Sequence, residues 1–177
     1  ESEKDRRAFI ISELVDGKAG SMFVATETPI SLDEWTKFFK EHLETWACLF
    51  AHGLYQNDAK LPNLMVRMAP TFGYTMIDVD IRELGINEAA AKMKELTSKI
   101  VQWSLKVGFA KPDCFQQTIS VSEDCGGVFA QLTETQRHAL ENIVKGLFEN
   151  TMTIQAALES EYFNYGDLEK DHINFDV

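Results

Sequence analysis

Residues 31–51, SLDEWTKFFKEHLETWACLFA, constrain the fold more than any other stretch of this chain. Ser31 followed by Glu34 forms a capping box: the hydroxyl can accept a first-turn N–H while the carboxylate reaches back to the cap. Trp35, Phe39, His42, Trp46 and Leu49 then recur at helical spacing, giving one continuous face of a helix that runs to about Ala51 and stops at Gly53. An aromatic face of that bulk has to be covered by other elements. A chain of 177 residues with 12 Phe can supply the cover within one domain, and 45% hydrophobic against 25% charged residues is ordinary globular composition.

The elements that would supply it read as follows. AFIISELV and SMFVAT, joined by DGKAG, form a β-hairpin over residues 8–26, and Thr28–Pro29 break it. QNDAKLPN is a polar loop, after which LMVRM and YTMIDVDI are two strands joined by APTFG. A second helix starts at Asn87 with a stripe of Met93, Leu96, Ile100, Trp103 and Val107, and Gly108 as its stop. A strand follows around Thr118–Ser122, with a loop SEDCGG and a short VFA strand behind it. TETQ at 133–136 is another capping box, opening a helix with Leu140, Ile143, Val144, Leu147 and Phe148 inward. Ile154, Leu158 and Tyr162 continue at helical spacing, and the pattern leaves open whether Asn150 and Thr151 interrupt the helix. This order predicts an α+β fold: a mostly antiparallel sheet built from β-hairpins, covered on one face by three or four helices. Residues 1–163 are expected as one domain and 164–177 as an acidic, aromatic tail.

Charge narrows the partners. A net charge of −11 with no basic run disfavours nucleic acid, which needs Lys and Arg to displace counterions from phosphate. Anionic membrane surfaces are disfavoured for the same reason, while basic proteins, cationic ligands and metal ions suit it. No apolar run approaches 18 residues, so no membrane-crossing helix is expected. The opening ESEKDRRAF is too polar for a signal peptide. Cys48, Cys114 and Cys125 are odd in number and lack CxxC spacing, which fits the cytoplasm or another reducing compartment.

One pair of side chains raises catalysis. In YTMIDVDIREL, strand alternation puts Asp78, Asp80 and Arg82 on one face and Ile77, Val79 and Ile81 on the other. Two carboxylates on one face can share a hard divalent cation if a further oxygen ligand joins them, and a divalent metal is the only cofactor the sequence suggests. Arg82, on the same face, can equally neutralise Asp80 with no metal. The four histidines lack metal-ligand spacing: His42 lies on the aromatic stripe and reads as packed, and His138 as surface. Cys48, inside the helix between Ala47 and Leu49, reads as a buried thiol. DCGG lacks the spacing of a phosphate loop and no EF-hand pattern occurs in the tail.

The terminal segment suggests contact rather than chemistry. Tyr162, Phe163, Tyr165 and Phe175 alternate with acids, which combines aromatic anchors with a charged rim. The alternative is that the segment folds back to complete its own core. Function therefore reads first as a non-enzymatic interaction or regulatory protein that binds a protein partner, a basic one by charge, through an acidic surface and that segment. A metal-dependent hydrolase or transferase using Asp78 and Asp80 comes second, and a subunit of a homo-oligomeric assembly third.

Overall fold

The computed structural model describes residues 17–25, 30–67, 73–108 and 126–163. Its fold is α+β, with antiparallel sheets and several helices. Strand β1 (Lys18–Ala19) leads into helix α1 (Gly20–Ala25), then α2 (Leu32–Ala51), β2 (Leu54–Gln56), a 3-10 helix (Leu61–Asn63) and β3 (Leu64–Arg67). Next come β4 (Gly73–Met76), β5 (Ile81–Glu83), α3 (Ala89–Gly108), a 3-10 helix (Gly127–Gln131), α4 (Glu134–Glu149) and α5 (Ile154–Leu158). β3 lies between β1 and β4 in a three-stranded antiparallel sheet, and β2 pairs with β5 in a separate two-stranded ribbon.

Helix α2 is the centre of the core. Both halves of the Ser31–Glu34 capping box are present, and Trp35, Phe38, Phe39, His42, Leu43 and Trp46 are buried. Helix α3 crosses it antiparallel and buries Leu96, Ile100, Leu105 and Val107. The Trp35 indole N–H donates to the Ser104 carbonyl at 2.7 Å, and the His42 Nδ1 lies 3.0 Å from the Ser104 hydroxyl. Gly108 does more than end the helix: a Cβ there would stand 2.7 Å from Trp35 Nε1 and 2.8 Å from Phe129, so only glycine lets α3 come this close.

The Thr133–Gln136 capping box opens α4. Asn150, left-handed at φ 59°, then ends it, and Thr153 caps α5 with its side chain, so the helix is interrupted at 150–153. Four expectations are corrected. SMFVAT is not a strand: most of it lies in α1, packed against the 3-10 helix at Leu61–Asn63, where docking overrides the β-propensity of its residues. VFA is 3-10 helix rather than strand, because Gly126 and Gly127, at φ 67° and 59°, turn the chain so that Val128 and Phe129 both go inward. YTMIDVDIREL is not one strand but two, in different sheets. Cys48 is exposed rather than buried, since the core face of α2 passes through Trp46 and leaves Cys48 outside it. The strands expected over residues 8–15 and 118–122, the turn at 69–72, Cys114, Cys125 and His172 lie outside the described residues.

Candidate functional site

The aspartates sit where the chain passes from one sheet to the other. β4 ends at Met76, Asp78 takes a left-handed φ of 53°, and β5 begins at Ile81. Continuous alternation is therefore lost, and Val79 and Ile81, expected inward, are 57% and 41% exposed. Gln56, almost fully buried, holds the crossing. Its side-chain N–H donates to the Asp78 carbonyl at 2.9 Å, and its Oε1 accepts from the Asp80 N–H at 2.6 Å. The Asn57 N–H adds a bond to the Asp80 carbonyl at 2.8 Å.

The Asp80 carboxylate accepts from Arg82 Nη2 at 3.0 Å and from Asn57 Nδ2 at 3.0 Å. The Arg82 hydrogen bond first, and Asn57 second, hold its carboxyl below the ordinary aspartate range. Asp58 nearby is lowered in the same way, by Lys60 and then Asn63. The charges of Asp78 and Asp80 are felt at Lys60 and Asp58 respectively, so the crossing is a mixed cluster of acids and bases. Among the described residues no group of three or more His, Cys, Asp or Glu converges as a metal site.

His42 stacks on Phe38 at 5.5 Å and meets the edge of Tyr74 at 5.6 Å. Burial lowers its pKa to about 4, so the imidazole is neutral at physiological pH. The cavity beside it, also lined by Gln56, Asn63 and Trp103, holds only about 10 Å³, too little for a substrate. Exposed Cys48 and His52 lie one turn apart, with Sγ and Nδ1 4.0 Å from each other. The same Nδ1 sits 2.8 Å from the Cys48 carbonyl, to which it must donate, so it has no lone pair there to take the thiol proton.

Tyr162 and Phe163 are buried. Phe163 packs on Phe39 at 5.6 Å, and the Tyr162 hydroxyl lies 3.1 Å from Thr36 Oγ1; burial pushes its pKa up to about 12. Their rings join the core, as the fold-back alternative has it. Tyr165 and Phe175 lie outside the described residues.

Gln56, Ser104 and Thr97 do not stand out in the sequence. Gln56 begins a polar run and reads as loop, Ser104 interrupts no stripe, and Thr97 adjoins Leu96 on a helix judged by its larger side chains. No local signal distinguishes them, because each acts across elements distant in sequence. No described helix is long and apolar enough to cross a membrane. No protein-family model matches the chain, and comparison with curated proteins finds no match.

Proposed function

We propose that the protein acts by binding a basic protein partner through the acidic, aromatic segment 164–177. The distribution of charge carries this reading. Residues 164–177 hold a net charge of −3 in 14 residues, against −11 over all 177. Within the described body, ion pairs join Asp80 to Arg82, Asp58 to Lys60, Glu41 to Lys37, and Glu95 to Lys92 and Lys99.

Residues 164–177 carry Asp167, Glu169, Asp171 and Asp176 around Tyr165 and Phe175, and contain one Lys. With Tyr162 and Phe163 buried, the aromatic anchors of such an interface would be Tyr165 and Phe175. Charge would then set the association rate and its salt dependence, and the two rings most of the affinity.

The test is affinity capture with the full chain, with residues 164–177 deleted, and with Tyr165→Ala plus Phe175→Ala, each at low and high salt. The expected result is a partner lost on deletion, weakened by the double substitution and weakened again by salt, with the melting temperature of the body nearly unchanged. Capture that survives the deletion would sink the reading.

A further inference from the structure

The antiparallel pair α2 and α3 is closed at one end and hollow at the other. Where the C-terminal turn of α2 faces the first turns of α3, the side chains are small: Ala47, Ala51 and Ala90. The 150–155 turn forms the third wall. It is held there because Met152 folds back on α4 over Gly146, where a Cβ would stand 2.8 Å from Met152 Cβ, and because the Thr151 and Met152 N–H groups both donate to the Gly146 carbonyl. Between these walls lies a groove of about 540 Å³, within the roughly 300–1,000 Å³ span of small-molecule sites.

Its lining has a simple polarity. Phe50, Met93, Met152 and Ile154 supply apolar surface. Among the described residues Lys94 is the only charged side chain in the lining, and it makes no ion pair with any of them. Thr97, three residues further along the same helix, is only 7% exposed, yet its hydroxyl has no hydrogen-bond partner among the described residues. It is not one of the sealed, unpartnered polar atoms, which are Trp46 Nε1 and Ser160 Oγ; as part of the lining, it opens on the groove. Three residues is one helical turn, so the ammonium and the hydroxyl serve the same side of the groove.

We propose that this groove binds a small amphipathic acid, its apolar body against Phe50, Met93 and Met152 and its carboxylate on the Lys94 ammonium and the Thr97 hydroxyl. The charge of the single cation selects an anionic head. The buried, unpartnered hydroxyl selects a head group that accepts a hydrogen bond, and the apolar walls select the tail. This reading does not rest on the partner-binding segment proposed above, and either can fail without the other.

Dodecanoate, dodecanol and dodecylammonium, each below its aggregation limit, serve as probes in calorimetric titration of the full chain. The expected result is saturable one-to-one binding of dodecanoate, about tenfold tighter than dodecanol, with the ammonium weakest. Lys94→Gln should remove most of the preference for the acid over the alcohol. Thr97→Val should weaken the acid about threefold, and Ala90→Trp, which fills the groove from an exposed position, should abolish binding of both. Lys94 and Ala90 are exposed, so these two variants should melt like the parent, which keeps the test independent of folding.

Equal binding of acid and alcohol would overturn the head-group assignment. Binding that survives Ala90→Trp would overturn the location. No saturable binding would overturn the site, as would a dimer by sedimentation that Ala90→Trp disperses, since the groove would then hold a second copy of the chain.

Discussion

Helix α2 carries two buried tryptophans, and its two ends treat them differently. At the N-terminal end, Trp35 stacks on Phe39 at 5.2 Å, meets the edge of Phe129 at 5.0 Å and donates its N–H to Ser104. Gly108 lets α3 press against its ring, and His42 bonds the Ser104 side chain, so one residue of α3 receives two side chains of α2. At the other end, Trp46 is equally buried and packs on Phe50 at 5.6 Å, but its indole N–H has no acceptor among the described residues. The groove lined by Ala47, Phe50 and Ala51 lies at that end. Burial fixes where both rings go, and a hydrogen bond closes one end while the other is left with room.

The strongest way to probe the closed end is pH. His42, neutral when buried with a pKa of about 4, must ionise more readily in the unfolded chain, where its pKa is about 6.5. The unfolded state therefore binds more protons between these values, and stability present above pH 6.5 is lost as pH falls toward 4. The loss should reach about 3 kcal/mol over that window. Melts of wild type and His42→Gln from pH 7.5 to pH 4 should show this slope in the first and not in the second. Equal slopes would mean that His42 is not the group that charges.

Next in size is the close approach of the two helices. Gly108→Ala should cost about 1–3 kcal/mol by denaturant titration, because the added methyl meets two rings that have no free volume to move into. The comparable intrusion at the open end, Ala90→Trp, should cost much less. If both cost the same, the contrast between the ends fails.

The two tryptophans themselves can be compared directly. Trp35→Phe and Trp46→Phe remove the same atoms, but only the first breaks a hydrogen bond and leaves the Ser104 carbonyl buried without it. Trp35→Phe should therefore be worse by about 1–2 kcal/mol. An equal loss would show that the Trp46 N–H is satisfied after all.

The smallest effects are expected at the exposed crossing between sheets. Arg82→Gln should shift the melting temperature little, since solvent screens its pair with Asp80. Mg²⁺ and Mn²⁺ should leave both wild type and Asp78→Asn unchanged; a stabilisation lost in the variant would restore the metal reading.

The sequence by itself determined the long helices and the capped starts of α2 and α4, but not where α4 ends. Both capping boxes and the inward faces of α2 and α4 depend on residues three or four apart, and such patterns are complete within one local stretch. That Arg82 could neutralise Asp80 was legible for the same reason, the two being neighbours along the chain.

Only the tertiary structure decided that 74–84 splits between two sheets, that Met22 to Val24 wind into helix, and that Gly108 is a contact point between helices. Each depends on a partner far along the chain: Gln56 for Asp78 and Asp80, Leu61 for α1, Trp35 for Gly108. The groove is the extreme case. Its walls come from residues around positions 50, 93 and 152, and a hollow is defined by how three elements fail to meet, which no local pattern of side chains records.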